Sequence, residues 1–264
     1  MGIAMILAIL AAIGGSIVAG VVLGLFVKRI PHRLNDVILG FSAGIMLAAS
    51  AFGLMAPAFG SSGGAILLAV AGAFCGAGFA SVLDRVVPHL HRIAGVGAEL
   101  HQSGASMEKA LLFVAAIALH KIPEGLASGA SFAAGDMGDA ITVAGSIALQ
   151  NIPEAIVMVA PLFAIGLTVM RVVCISFAVA LLSIVSVLAG CMLASVFANV
   201  MPFMLAAAGG AMLYVISDEM IPETHSHGYE KPATFALMSG FVLVMAIQCL
   251  LQSASASLVG SCAQ

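Results

Sequence analysis

Long runs of apolar residues fill most of this chain, and short polar stretches separate them. Eight of these runs reach about 20 residues or more, the length of helix that crosses the hydrocarbon core of a bilayer. Their approximate bounds are 3–27, 37–59, 63–83, 110–134, 140–165, 172–198, 202–223 and 234–258. The pattern predicts an all-α membrane protein with eight transmembrane helices, forming one polytopic domain over residues 1–264.

The composition agrees with this fold class. The chain is 62% hydrophobic and only 8% charged, whereas soluble domains carry roughly 25% charged residues. A net charge of −3 gives no reason to expect a nucleic-acid partner. Five cysteines are scattered through the apolar runs without pair spacing, so we expect neither a disulfide framework nor a zinc–thiolate site.

The basic residues predict the orientation of the spans. The first run lacks a basic segment before it and is followed by Lys28, Arg29 and Arg33, so we interpret it as a membrane span rather than a signal peptide. With the N-terminus outside, the inside connections hold eight of the nine Lys and Arg residues, and the outside connections hold none. The ninth, Lys121, lies within a span. This asymmetry predicts an N-out, C-out topology.

A repeated motif lies in the middle of the fourth and fifth spans. ALHKIPE at 118–124 and ALQNIPE at 148–154 match at five of seven positions and lie 30 residues apart. The two spans cross the membrane in opposite directions, as in inverted repeats that meet at a midplane transport site. Polar residues at this depth are costly and are usually functional.

The spacing within each motif predicts a metal site between these two spans. The first and last polar residues of each motif share a helix face at i, i+4. Together they offer an imidazole, two carboxylates and an amide oxygen, which suit a divalent ion. Pro123 and Pro153 each free a backbone carbonyl, which membrane proteins tolerate beside a cavity or a ligand. The candidate ligands are His120, Glu124, Gln150 and Glu154.

A third Ile-Pro-Glu copy, at 221–223, ends the seventh span on its predicted cytoplasmic side. It lies in a cluster of acidic residues and histidines that we interpret as a graded exit path for the ion. These residues are Asp218, Glu219, Glu223, His225 and His227. Three loop histidines, His89, His91 and His101, are open to two interpretations, transient metal handling or ordinary solvated side chains. Asp136 and Asp139 on an outer connection favour import.

These motifs resemble those of the ZIP family of divalent metal transporters, and the resemblance extends over all eight spans. The motifs that show this resemblance are HKIPEG at 120–125, QNIPE at 150–154, DR at 84–85 with PHLH at 88–91, and EMIPETH at 219–225. The resemblance implies a transporter rather than an enzyme, and assigns the four candidate ligands to a first metal position. It also implies a homodimer and an elevator-like movement of the bundle that carries the site.

The second metal position of that family is degraded in this chain. Its usual asparagine is replaced by Lys121, its usual aspartate corresponds to Asn151, and its glutamate corresponds to Ser183. The Lys121 ammonium is expected to stand in for the second ion and to balance the glutamates. The alternative is that Lys121 turns toward a backbone carbonyl and serves only packing.

The resemblance implies Zn²⁺ as the transported substrate, with Cd²⁺, Fe²⁺ and Mn²⁺ as alternatives, and no cofactor. The expected surroundings are the lipid bilayer, and the expected location is the inner (cell) membrane of a prokaryote. An intramembrane metallohydrolase is disfavoured because the chain has no His-Glu-x-x-His sequence. A purely structural membrane protein is disfavoured, because polar contacts that only hold helices together do not need prolines beside mid-membrane glutamates.

Overall fold

The computed structural model describes residues 3–26, 30–60, 65–93, 103–134, 137–196 and 200–262. Within these ranges the side chains of 3, 65, 84–93, 103–113, 116, 164 and 251–262 are not described. Asp136, His101 and the side chains of His89 and His91 therefore lie outside the described part, and their predicted roles stay predictions.

The described residues form helices joined by short connections, and no β-strand occurs among them. The long helices are α1 (Ile3–Phe26), α2 (His32–Ala48), α4 (Ala65–Ile93), α5 (Ser103–Ala134), α6 (Met137–Ala164), α7 (Val169–Val196), α8 (Met201–Val215) and α10 (Glu230–Cys262). A π-helical segment, Ala49–Met55, joins α2 to the short α3 (Ala56–Gly60). A second, Ile216–Met220, joins α8 to the short α9 (Ile221–Thr224).

Seven of the predicted spans correspond to helices long and apolar enough to cross a membrane, counted within the described residues. They are Ala4–Phe26, His32–Gly60, Ile66–Leu83, Met137–Phe163, Val169–Val196, Met201–Thr224 and Glu230–Leu250. The predicted fourth span lies within α5, which carries the ionisable residues of the first motif and is not among the seven. The count of eight and the orientation stay predictions.

The long helices pack as four principal pairs that form two bundles. α1 contacts α6 and α5 contacts α7, and further contacts between these pairs make a motif bundle of α1, α5, α6 and α7. α2 contacts α10 and α4 contacts α8, which together make a second bundle. The four pairs are related by a simple exchange, in which α1 takes the place of α7, α2 of α8, α4 of α10 and α5 of α6. This exchange turns the pair α1–α6 into α7–α5, and the pair α2–α10 into α8–α4. This is the symmetry that the repeated motif predicts.

Glycines allow the closest of these approaches. A Cβ on Gly76 of α4 would overlap the carbonyl oxygen of Ala207 on α8, and one on Gly129 of α5 would overlap that of Val187 on α7. Close backbone approach through small residues is the usual basis of helix association in membranes, where no hydrophobic effect drives it. Both bundles are therefore held by tight packing, and α5 is fixed against α7 just beyond its motif.

Candidate metal centre

The two motifs meet around the side chain of Lys121, which is 2% exposed. Its ammonium donates to Glu124 Oε2 at 2.6 Å within α5, and to Glu154 Oε2 at 2.5 Å and Asn151 Oδ1 at 2.8 Å on α6. Both glutamates are buried as well. An ammonium has three protons to donate, and all three have acceptors here. Lys121 therefore does not turn away toward a backbone carbonyl, which was the alternative left open by the sequence.

Helix α1 fixes the orientation of the Asn151 amide. Its Nδ2 donates to the carbonyl oxygen of Ile13 at 3.4 Å and to the hydroxyl of Ser16 at 3.3 Å. With the amino group held by α1, the carbonyl oxygen faces Lys121. The side chain at 151 thus connects α1 to the charge cluster between α5 and α6.

His120 makes its side-chain hydrogen bond outside this cluster. Its Nε2 lies 2.8 Å from Glu219 Oε2 in the second π segment, so the imidazole connects the motif bundle to the second bundle. π-helical turns inside α-helices are frequent at functional sites. The sequence pointed to both residues, but not to their contact.

Several buried polar atoms near the motifs lack a hydrogen-bond partner among the described residues. They are Glu124 Oε1, both side-chain polar atoms of Gln150, and the hydroxyls of Ser128, Ser131 and Ser183. Buried atoms of this kind are rare in proteins and call for an explanation such as a bound ion or a role in another state. In the conformation seen, no three His, Cys, Asp or Glu side chains of the described chain are arranged to hold a metal ion.

A cavity of about 450 Å³ extends from the motifs to the end of the seventh span. Both bundles contribute polar groups to its wall. Leu39, Ile117 and Met220 are among its apolar lining residues. Its polar lining consists of His120, Glu154, Asp218, Glu219, Glu223 and Ser226. Three of the five predicted exit-path residues therefore share one cavity with two of the predicted metal ligands.

The two predicted exit histidines have other contacts. His225 Nδ1 lies 2.8 Å from the carbonyl oxygen of Ile221, and its Nε2 lies 3.3 Å from the hydroxyl of Thr234. His227 Nδ1 lies 3.0 Å from Asp36 Oδ1. Neither histidine belongs to the described lining of the cavity, and their place in an exit path stays a prediction.

Asp36 was missed by the sequence reasoning. Its position between two membrane spans placed it in a cytoplasmic connection, but the structure places it inside α2 with an exposed fraction of 0%. Helix α2 begins at His32, five residues before the apolar run. The only signal in the sequence was the i, i+4 spacing of His32 and Asp36.

The fold and this site define a class: a polytopic helical membrane protein with charged residues buried between its spans and a cavity leading from them. The family model described as "ZIP Zinc transporter" matches residues 91–248. The chain is 37% identical over 244 residues to "Zinc transporter ZIPB" of Bordetella bronchiseptica, covering 86% of this chain and 74% of the relative. It is 36% identical over 252 residues to "Zinc transporter GufA" of Myxococcus xanthus, covering 90% and 97%.

"Zinc transporter ZupT" of Corynebacterium glutamicum is 32% identical over 236 residues, with 81% of this chain and 86% of the relative covered. The chain belongs to the ZIP zinc transporter family. The family resemblance expected from the motifs is confirmed, and with it the expectation that the protein is a transporter and not an enzyme.

Proposed function

We propose that this protein carries Zn²⁺ across the inner (cell) membrane of a prokaryote into the cytoplasm. The main observation in support is the pair of buried glutamates, Glu124 and Glu154, which lie on two spans with the same motif. A cavity with acidic walls leads from Glu154 toward the end of the seventh span that is predicted to be cytoplasmic. Family membership and the names of the relatives support zinc as the substrate.

The proposed ion site consists of His120, Glu124, Gln150 and Glu154. Glu124 Oε1 and the Gln150 amide support this assignment, because they are buried polar groups without partners among the described residues. His120 would have to leave Glu219 in order to join them. The cavity opens on the side predicted to be cytoplasmic, so we interpret this conformation as inward-facing, with His120 turned toward the release path.

We propose that one divalent ion binds tightly between α5 and α6, with Lys121 in the second position. Its ammonium already neutralises part of the charge of Glu124 and Glu154, and Asn151 holds it. Once the ion leaves, this cation would reduce the repulsion between the two carboxylates while the empty carrier returns. Equilibrium dialysis of the purified protein against zinc should yield one tightly bound ion per protomer, and two would contradict the assignment.

The direction of transport is tested in cells. Expression in an uptake-deficient strain should improve growth under zinc limitation and raise cellular zinc, because Asp218, Glu219 and Glu223 offer acceptors on the side predicted to be cytoplasmic. The matched control is Glu154→Gln, which keeps the size of the side chain and removes its charge. Greater resistance to toxic zinc with lower cellular metal would indicate an exporter instead.

Selectivity is a separate question, because a site of nitrogen and oxygen ligands accepts several borderline ions. We propose zinc as the preferred ion, with Cd²⁺, Fe²⁺ and Mn²⁺ as competitors. Competition for zinc uptake in proteoliposomes measures this order. Stronger inhibition by any of the three than by unlabelled zinc would reassign the substrate.

We also propose an elevator-like mechanism in which the motif bundle moves against the second bundle within a homodimer. The division of the principal contacts into two bundles supports the movement. The dimer rests on the family resemblance and is tested by the mass of the purified protein in detergent.

A further inference from the structure

A buried carboxylate lies beside the cavity but outside the proposed ion site. Asp36 in α2 has an exposed fraction of 0%. Its Oδ1 lies 3.0 Å from Nδ1 of His227, and its Oδ2 has no hydrogen-bond partner among the described residues. A carboxylate is costly to bury, so its position beside a single imidazole requires an explanation.

This pair flanks the predicted cytoplasmic mouth of the cavity. His227 lies in the turn between α9 and α10, where Gly228 adopts a φ of 84°. Its neighbour Ser226 lines the cavity, as does Leu39, one turn along α2 from Asp36. An ion that passes Glu223 would therefore reach the edge of the protein close to this imidazole.

The contact with Asp36 determines which nitrogen of His227 can bind a ligand. Nδ1 is occupied by the carboxylate, which leaves Nε2 as the ring nitrogen for a metal. A carboxylate on the second nitrogen is the arrangement that orients histidines bound to zinc and makes them more basic. A second imidazole lies close by, because the ring of His32 stacks on that of His227 with centroids 4.5 Å apart. The nitrogen lone pairs lie in the ring planes, so His32 would turn out of this stack to share an ion with His227.

We propose that His227 and His32 form a weak acceptor site for a borderline divalent cation such as zinc at the cytoplasmic mouth, and that Asp36 is its positioning residue. The inference rests on the proposed direction of transport. Two imidazoles leave the remaining positions of the ion to water, which suits rapid release. A complete cage of three or more protein ligands would instead retain the ion.

The first test is zinc uptake into proteoliposomes by Asp36→Asn, His227→Ala and the double variant. Each single change should lower the maximal rate roughly tenfold, as is usual when the carboxylate partner of a zinc-binding histidine is lost. The external zinc concentration for half-maximal uptake should stay unchanged, because the outer binding step is untouched. Ser239→Ala on α10 is the matched control, since its hydroxyl donates to the carbonyl of Phe235 in its own helix.

The double variant separates positioning from a structural role. If Asp36 acts through His227, the double variant should be no slower than His227→Ala alone. Losses that multiply would overturn the inference, since Asp36 would then act independently of the imidazole. Unchanged rates in both single variants would overturn it as well.

The second test measures binding and does not depend on transport. Diethyl pyrocarbonate acylates free imidazoles, and tandem mass spectrometry of the detergent-purified protein reads His227 and His32 separately from His225. Zinc should slow modification of the first two, and Asp36→Asn should weaken this protection roughly tenfold. Equal rates with and without zinc would overturn the inference. If wild-type protein fails to take up zinc but shows the protection, the proposed function fails and the acceptor site stands.

Discussion

At the residue scale, Lys121 distinguishes this chain from the pattern of its family. Its ammonium lies between two glutamates, and all its protons have acceptors. The sequence motif predicted that the Lys121 ammonium would balance the glutamates. The role of Asn151 as the link to Ser16 on α1 was not predictable, because it depends on a contact across 135 residues of chain.

Removing this cation should destabilise the fold. Lys121→Met leaves Glu124 and Glu154 buried without compensation, and loss of one partner of a buried ion pair costs about 3–5 kcal/mol. Thermal unfolding in detergent measures the effect, with Lys231→Met on the exposed start of α10 as the control. The double variant Lys121→Met/Glu124→Gln should recover part of the loss. A midpoint unchanged in Lys121→Met would show that the ion pair does not hold the bundle.

The contact between His120 and Glu219 should assist release of the ion. Glu219→Gln weakens a charge-assisted hydrogen bond worth about 1.5 kcal/mol or more, so His120 should stay with the ion and the maximal uptake rate should fall about tenfold. Zinc uptake in proteoliposomes measures the rate, with Glu230→Gln as the matched carboxylate control. A rate equal to that of wild type would mean that the contact is incidental.

At the element scale, the apolar runs located the seven spans found among the described residues well, but not the ends predicted to be cytoplasmic. The predicted spans 37–59 and 110–134 lie within longer helical stretches, His32–Gly60 and Ser103–Ala134. The added turns carry polar residues that continue the helix beyond the apolar run, and hydropathy cannot register them. For the same reason Asp36 was expected in a connection. The π segments have no signature in the sequence.

Helix pairing can be tested with two glycines of α4. Gly76→Ala would press a methyl group into the carbonyl of Ala207 on α8, whereas Gly78 has open space around it. Alanine at Gly78 should raise stability slightly, since glycine inside a helix is about 1 kcal/mol less favourable. Unfolding midpoints should therefore fall for Gly76→Ala and stay level or rise for Gly78→Ala. The reverse order would contradict the close approach of α4 and α8.

At the scale of the whole molecule, the question is whether the two bundles move against each other. A repeated motif indicates two related halves, but only the packed structure shows which helices belong together. α1, α5, α6 and α7 surround the proposed ion site, while the second bundle supplies Asp218, Glu219 and Glu223 to the wall of the cavity. The proposed elevator-like mechanism requires the boundary between the bundles to slide or open.

A disulfide across that boundary should stop transport. A Cβ on Gly53 of the first π segment would lie 3.8 Å from the Cβ of Val143 on α6, which matches disulfide geometry. Oxidised Gly53→Cys/Val143→Cys should lose zinc uptake and regain it on reduction. Leu54→Cys/Gly209→Cys is the control within the second bundle, where the corresponding distance is 3.5 Å. Full uptake by the oxidised cross-bundle variant would contradict a moving motif bundle.

The central claim is that zinc crosses the membrane through a site built on Glu124 and Glu154. The most direct measurement is uptake of radioactive zinc into sealed proteoliposomes, comparing wild type with Glu124→Gln, Glu154→Gln and the exposed control Glu230→Gln. The account predicts saturable uptake by wild type and the control, and none above protein-free vesicles for either site variant that remains folded and inserted. Uptake near the wild-type rate by both site variants would contradict it.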